Sequence, residues 1–226
     1  MHNNKIPELI ITIENRIEEA LHSLEMREDI EQALTVYRSA GSELIALELS
    51  PEDPNYPEQQ RVLAYCLLRQ GNILRQLGEA EAAMAVSERE IAAARASQDE
   101  IMLARSLMSN GTNRIVTGEV DLGFSLLDEA RVLFEHGESY DHRQGLGWYW
   151  ILQADLANAG LIESETSEVV NCADRALEIL KPIENWPGVA RAYAARAKAN
   201  ENMGNKTEAE KDYQEQEYYQ SRIVPE

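Results

Sequence analysis

With 226 residues, 44% of them hydrophobic, the chain is long for one compact core and normal for one continuous stacked array, and it is globular, not disordered. Forty acidic against 21 basic side chains give a formal charge of −19, which repels phosphate backbones and anionic membranes and argues against nucleic acid or a membrane as partner. No stretch approaches the ~18 uninterrupted apolar residues of a membrane span. The start, MHNNKIPELIITIENR, lacks the basic end, apolar run and small-residue cleavage site of a signal peptide, so a cytoplasmic protein is expected.

Only 12 Gly and 7 Pro, with much Ala, Leu, Glu, Gln and Arg, favour helices throughout. In chain order, Ile10, Ile13, Ile17, Leu21 and Leu24 form a first helical stripe, and Ala33, Tyr37 and Ala40 line one face of a second helix. The segment SPEDPNYPE, residues 50 to 58, carries three prolines and interrupts the helices. Beyond it Gly78, Gly118, Gly160 and Gly204 recur at separations of 40, 42 and 44 residues. Each stands between two helical patterns, as in LRQLGEAEAAM and NENMGNKTEAE, which reads as helix, one-glycine turn, helix. Hairpins are expected at roughly 6–49, 57–97, 100–137, 143–182 and 186–223, all within a single domain spanning 1–226.

These residues resemble the tetratricopeptide repeat (TPR), which places bulky, Leu, Gly and Tyr positions on its first helix and Ala, aromatic and Ala positions on its second. Gly71, Leu74, Gly78 and Ala83 match that pattern, as do Gly111, Gly118 and Ala130, and then Ala197, Gly204, Ala209 and Tyr213. After Gly160 the small residues Ala173 and Ala176 are displaced by about four positions, which implies a longer turn through LIESETSE. Arg114 and Asn200 stand where the family has an aromatic or large apolar residue. The period exceeds the standard ~34 residues and is similar to a longer variety of about 40 to 44. The resemblance implies an all-α fold, a right-handed α-solenoid of about five antiparallel helical hairpins, with a concave surface lined by the first helices.

Counting back 13, 9, 6 and 2 residues from each hairpin glycine selects one helical stripe for that surface. It comprises Tyr65, Arg69, Asn72 and Gln76; then Arg105, Ser109, Thr112 and Val116; then Gly147, Ile151, Ala154 and Asn158, with Trp150 beside them; and finally Arg191, Ala195, Lys198 and Asn202. The four first-helix segments 60–78, 101–118, 143–160 and 186–204 carry +3, +2, 0 and +2, which leaves −26 on the remainder. A basic wall on an acidic body attracts anionic groups, and arginine suits carboxylates because its planar donors bind them bidentately. The expected function is a protein-binding scaffold whose groove takes an acidic or C-terminal peptide. In it Arg69, Arg105, Arg191 and Lys198 read charge, and Asn72 and Asn202 hydrogen-bond the peptide backbone.

Trp148, Tyr149 and Trp150 form the densest aromatic cluster, read as packing between hairpins with Trp150 also a candidate contact for a partner. Trp186 before Pro187 reads as the entry to a helix. His136 and His142, with Glu138 and Asp141 between them, are metal-ligand types without metal-site spacing, so no metal is expected. Cys66 and Cys172 fall inside apolar helical patterns and read as small core residues. No phosphate loop, dinucleotide fingerprint or nucleophile elbow is present, and neither catalysis nor a cofactor is expected.

Two alternatives stand beside the peptide scaffold. In one, the chain self-associates as a homodimer, because Tyr218, Tyr219, Ile223 and Val224 place apolar groups at the end of the array. In the other it is a regulatory sensor subunit for a small peptide, a role implied by resemblance to long-repeat arrays joined to DNA-binding domains.

Overall fold

The computed structural model describes residues 5–223, apart from the side chain of Met26. Val224 lies outside them. The described residues form ten α-helices and no strand: α1 Ile6–Ser23, α2 Ile30–Ile45, α3 Tyr56–Gln76, α4 Ala80–Ser97, α5 Glu100–Val116, α6 Val120–Glu135, α7 Tyr140–Asn158, α8 Thr166–Leu180, α9 Trp186–Asn202 and α10 Lys206–Ser221. Among them no helix is long and apolar enough to cross a membrane.

The chain divides into two compact units, residues 1–126 and 127–226, with the boundary in sequence inside α6. In the first, α1 packs on α2 and α3, α3 on α4, and α5 on both α3 and α4. Ile10, Ile13 and Ile17 of α1, Tyr37 and Leu44 of α2 and Leu67, Ile73 and Leu74 of α3 form its buried core, while Ala33, Ala40 and Ala83 let the helices approach closely. In the second unit α7 packs on α8 and α9, α8 on α9, and α9 on α10. Ile151, Ala176, Leu177, Leu180, Val189, Ala192 and Tyr193 lie at its centre, with Trp148, Trp150, Trp186 and Tyr219 packed against them.

The hairpin turns follow from backbone hydrogen bonding. Gly78 takes φ +77°, the left-handed region that a Cβ disfavours. This lets Gly78 N–H donate to Arg75 O at 3.0 Å and Glu79 N–H to Leu74 O at 2.9 Å, so the last carbonyls of α3 are satisfied. Gly118, Gly160 and Gly204 repeat both bonds.

The first hairpin, which has no such glycine, makes the same closure. Glu28 adopts φ 68°, its N–H donates to Glu25 O at 3.1 Å, and Asp29 N–H donates to Leu24 O at 2.9 Å, after a short 3-10 turn at Glu25–Arg27. Glu28 thus bears the left-handed strain that glycine avoids. Glu28→Gly is therefore expected to stabilise the first unit by ~1 kcal/mol, seen as a higher urea midpoint with unchanged slope.

The proline-rich break ends slightly earlier than the sequence suggests, because Pro57 sits in the first turn of α3, where no N–H is needed. Pro187 does the same for α9, which Asn185 caps by accepting from Gly188 N–H at 2.9 Å. The longer turn expected after Gly160 is present, with α8 starting only at Thr166.

Candidate functional site

In the first unit the stripe is largely enclosed. Arg69 donates through Nε to Glu25 Oε2 at 3.1 Å and through Nη2 to Glu25 Oε1, and both side chains are mostly buried. Glu25 also accepts from Tyr37 Oη at 2.8 Å. Arg69 is therefore committed to an internal bidentate pair. Tyr65 is half-buried beside it, and burial, with Glu18 adding, pushes its phenol up to about 12.

Asn72 accepts from Arg75 Nη2 at 2.8 Å, and Gln76 is exposed. Arg105 is half-buried. Ser109 and Thr112 are buried: Ser109 Oγ donates to Glu90 Oε2 at 3.1 Å and Thr112 Oγ1 to Met108 O at 2.8 Å. In α5 these short side chains bond inward and stay within the packed layer, while Val116 at the helix end is exposed.

In the second unit the stripe opens. A surface groove of about 270 Å³ between α7 and α9 is lined by Asp155, Asn158, Ala159, Arg191, Ala194, Ala195 and Lys198. Four of these, Asn158, Arg191, Ala195 and Lys198, are stripe positions. Helical spacing brings Arg191, Ala195 and Lys198 onto one face of α9, and the alanine side chains leave the volume free. Gly147, Ile151 and Ala154 instead lie inside the unit, and Asn202 is exposed beyond the groove.

Asn158 Nδ2 donates to Ala195 O at 2.9 Å, while its shielded Oδ1 has no hydrogen-bond partner among the described residues. Arg191 reaches Asp155 Oδ2 from Nε at 3.0 Å and from Nη2 at 2.9 Å, and Lys198 Nζ lies 3.2 Å from Glu201 Oε2. The two basic side chains remain 55% and 54% exposed. Burial raises the Asp155 carboxyl from its ordinary range, against the pull of Arg191.

Asp155, Ala159 and Ala194 are lining residues one position away from the stripe, and Asp155 is the charged one. Its signal was present in the charge: it is the acid that cancels Arg143 in segment 143–160.

The open basic wall expected from segment charges is not what these arginines form. Arg61 pairs with Glu14 and Glu58, Arg114 with Glu88 and Glu119, and Arg196 with Asp174 and Asp212. Segment sums omit the acids that folding brings against them from other helices. Trp150 is half-buried, with the Arg175 guanidinium 4.5 Å from its ring centroid and Tyr149 edge-on at 5.0 Å. One ring face is thus covered from within the unit.

No family model matches the sequence, and no curated protein does either. Among solved structures, BtubC (BKLC) from P. vanneervenii superposes with a TM-score of 0.59 at 14% identity, covering 97% of this chain and 94% of that one. The TPR-like repeats of a putative kinesin light chain from Podosopora anserina superpose with a TM-score of 0.50, also at 14% identity, over 94% of this chain and 96% of theirs. The fold is that of the TPR-like α-solenoids. Its departures from the TPR pattern are resolved by charge pairing. Arg114 Nη1 donates to both carboxylate oxygens of Glu119 at 2.9 and 2.8 Å, and the buried Asn200 amide donates to Asp212 at 3.2 Å. At the C-terminal end of the TPR-like array Tyr219 folds back onto α9, stacked on Trp186 and Tyr193 at 5.4 and 5.8 Å, while Tyr218 stays 56% exposed.

Cys66 belongs to the same packed interior. It is buried, its Sγ donates to Tyr37 O at 2.9 Å, and burial pushes its thiol up to about 11. This is the environment of a structural cysteine.

Proposed function

We propose that the protein is a non-catalytic interaction scaffold and that the groove between α7 and α9 takes an extended acidic segment of a partner protein. The observation that carries this reading is the convergence of Asn158, Arg191, Ala195 and Lys198 on one open groove. Lys198 stands in a surface ion pair, which contributes only ~0–1 kcal/mol, so a ligand carboxylate can replace its present partner at small cost, and the Arg191 side chain remains 55% exposed beside it. The Arg69–Glu25 pair differs: it is mostly buried and bidentate, and exchanging it would strand a charge. The binding chemistry is therefore placed in the fourth and fifth hairpins and not at Arg69. Ala194, Ala195 and Ala159 offer an apolar floor for the segment.

The test is a titration of the ¹⁵N-labelled protein with a panel of extended peptides of acidic, neutral and basic composition. Acidic peptides are expected to shift the amides of Asn158, Arg191, Ala195 and Lys198. The double variant R191E/K198E is expected to weaken binding by roughly tenfold to a hundredfold while retaining the helical spectrum. Shifts that map elsewhere, or equal binding of neutral peptides, would remove the assignment.

A further inference from the structure

Glu90, in the second half of α4, is wholly shielded from solvent. Its Oε2 accepts from Ser109 Oγ of α5 at 3.1 Å, whereas Oε1 has no hydrogen-bond partner among the described residues; the buried Ser106 Oγ of α5 faces the same carboxyl. On the α3 side the wall is Gly71, where a methyl group would lie 4.0 Å from Oε2. Arg75 of α3 is the charged group that acts on the carboxyl, but its own donors go to Asn113 Oδ1 at 3.0 Å and Asn72 Oδ1 at 2.8 Å. From α5 the facing groups are Ser106 and Ser109, and neither is charged.

An anion in this place would have only serine hydroxyls as donors and no direct countercharge, which a buried carboxylate does not tolerate. A proton on Oε1 removes that uncompensated charge and gives the carboxyl a donor of its own.

We propose that Glu90 is a pH-sensitive lock of the first unit: as the neutral acid it closes the contact of α3, α4 and α5, and its ionisation loosens α5 from α4. Burial pushes the carboxyl from 4.5 up to about 8 against the opposing pull of Ser106, Ser109 and Arg75. Where α5 has come away, Glu90 meets water and ionises in the ordinary carboxylate range. Between those two pKa values the open state binds fewer protons than the closed one, so each pH unit raises the open population about tenfold. Below the window both states keep the proton and the locked state is favoured in full; above it both have lost the proton and the dependence ends.

The experiment is amide hydrogen exchange of the full chain between about pH 5.5 and pH 7.5, with intrinsic exchange chemistry divided out. The opening equilibrium of α5 amides in the wild type is expected to rise roughly a hundredfold across that range, and that of Glu90→Gln to stay level. A level wild type, or an equal slope in the variant, would overturn the lock. Should Glu90→Gln not fold, the carboxyl ¹³C resonance of Glu90 in labelled wild type decides: a protonated shift at neutral pH supports the proposal, and an ionised shift at about pH 6 ends it.

Discussion

Replacing Arg196 by alanine is expected to destabilise the second unit by about 3–5 kcal/mol, because it leaves the carboxylate of Asp212 buried without its countercharge. Arg196 links three helices. Nε and Nη2 donate to Asp212 of α10 at 3.0 and 2.6 Å, Nη1 donates to Asp174 of α8 at 2.5 Å, and the guanidinium lies 5.1 Å from the Tyr193 ring centroid. Asp212 is 5% exposed and, among the described residues, keeps the Asn200 amide once Arg196 is gone. All three tryptophans, Trp148, Trp150 and Trp186, lie in residues 127–226, so intrinsic fluorescence during urea unfolding reads this unit directly. Adding Asp212→Asn to Arg196→Ala should recover part of the loss, since it removes the stranded charge. A single-variant loss below about 1 kcal/mol would show that the pair behaves as a surface contact.

The second large effect is expected at Gly123 in α6. A Cβ built there lies 2.7 Å from the backbone oxygen of Gly111 and 3.1 Å from the backbone nitrogen of Ile115, both in α5. These are main-chain atoms, which cannot swing aside as the end of a side chain can. Gly123→Ala must separate two helices or bend one, and a loss of roughly 2–3 kcal/mol is expected, at the upper end of overpacking changes. Thermal unfolding followed by far-UV circular dichroism measures it. Gly78→Ala provides the contrast: nothing lies within 4 Å of that Cβ, so its cost is confined to the left-handed backbone.

What the sequence discloses of this fold is the part governed by local rules. Gly78, Gly118, Gly160 and Gly204 announce their turns because φ near +80° has few other tenants, and Ala173 and Ala176 announce the long turn by their displacement. Glu28 was not legible as a turn residue, since the same closure made at a cost in strain leaves no compositional mark. The same division runs through the candidate site. Arg191, Ala195 and Lys198 are recognisable from helical spacing on one helix, α9. The fate of Arg69 depends on Glu25, which approaches from 44 residues earlier and shares no period with it. Glu90, inside an Ala-rich and Glu-rich helix, looks like a solvated charge until α3 and α5 are folded over it.

The turn between α7 and α8 leaves the chain free to carry cargo. Residues 159–165 are almost all exposed, and the turn begins at Ala159, which with Asn158 already belongs to the wall of the α7–α9 groove. A peptide spliced into that turn on a short flexible linker would meet the groove at a local concentration on the order of millimolar, so that even a feeble ligand is held as an intramolecular guest.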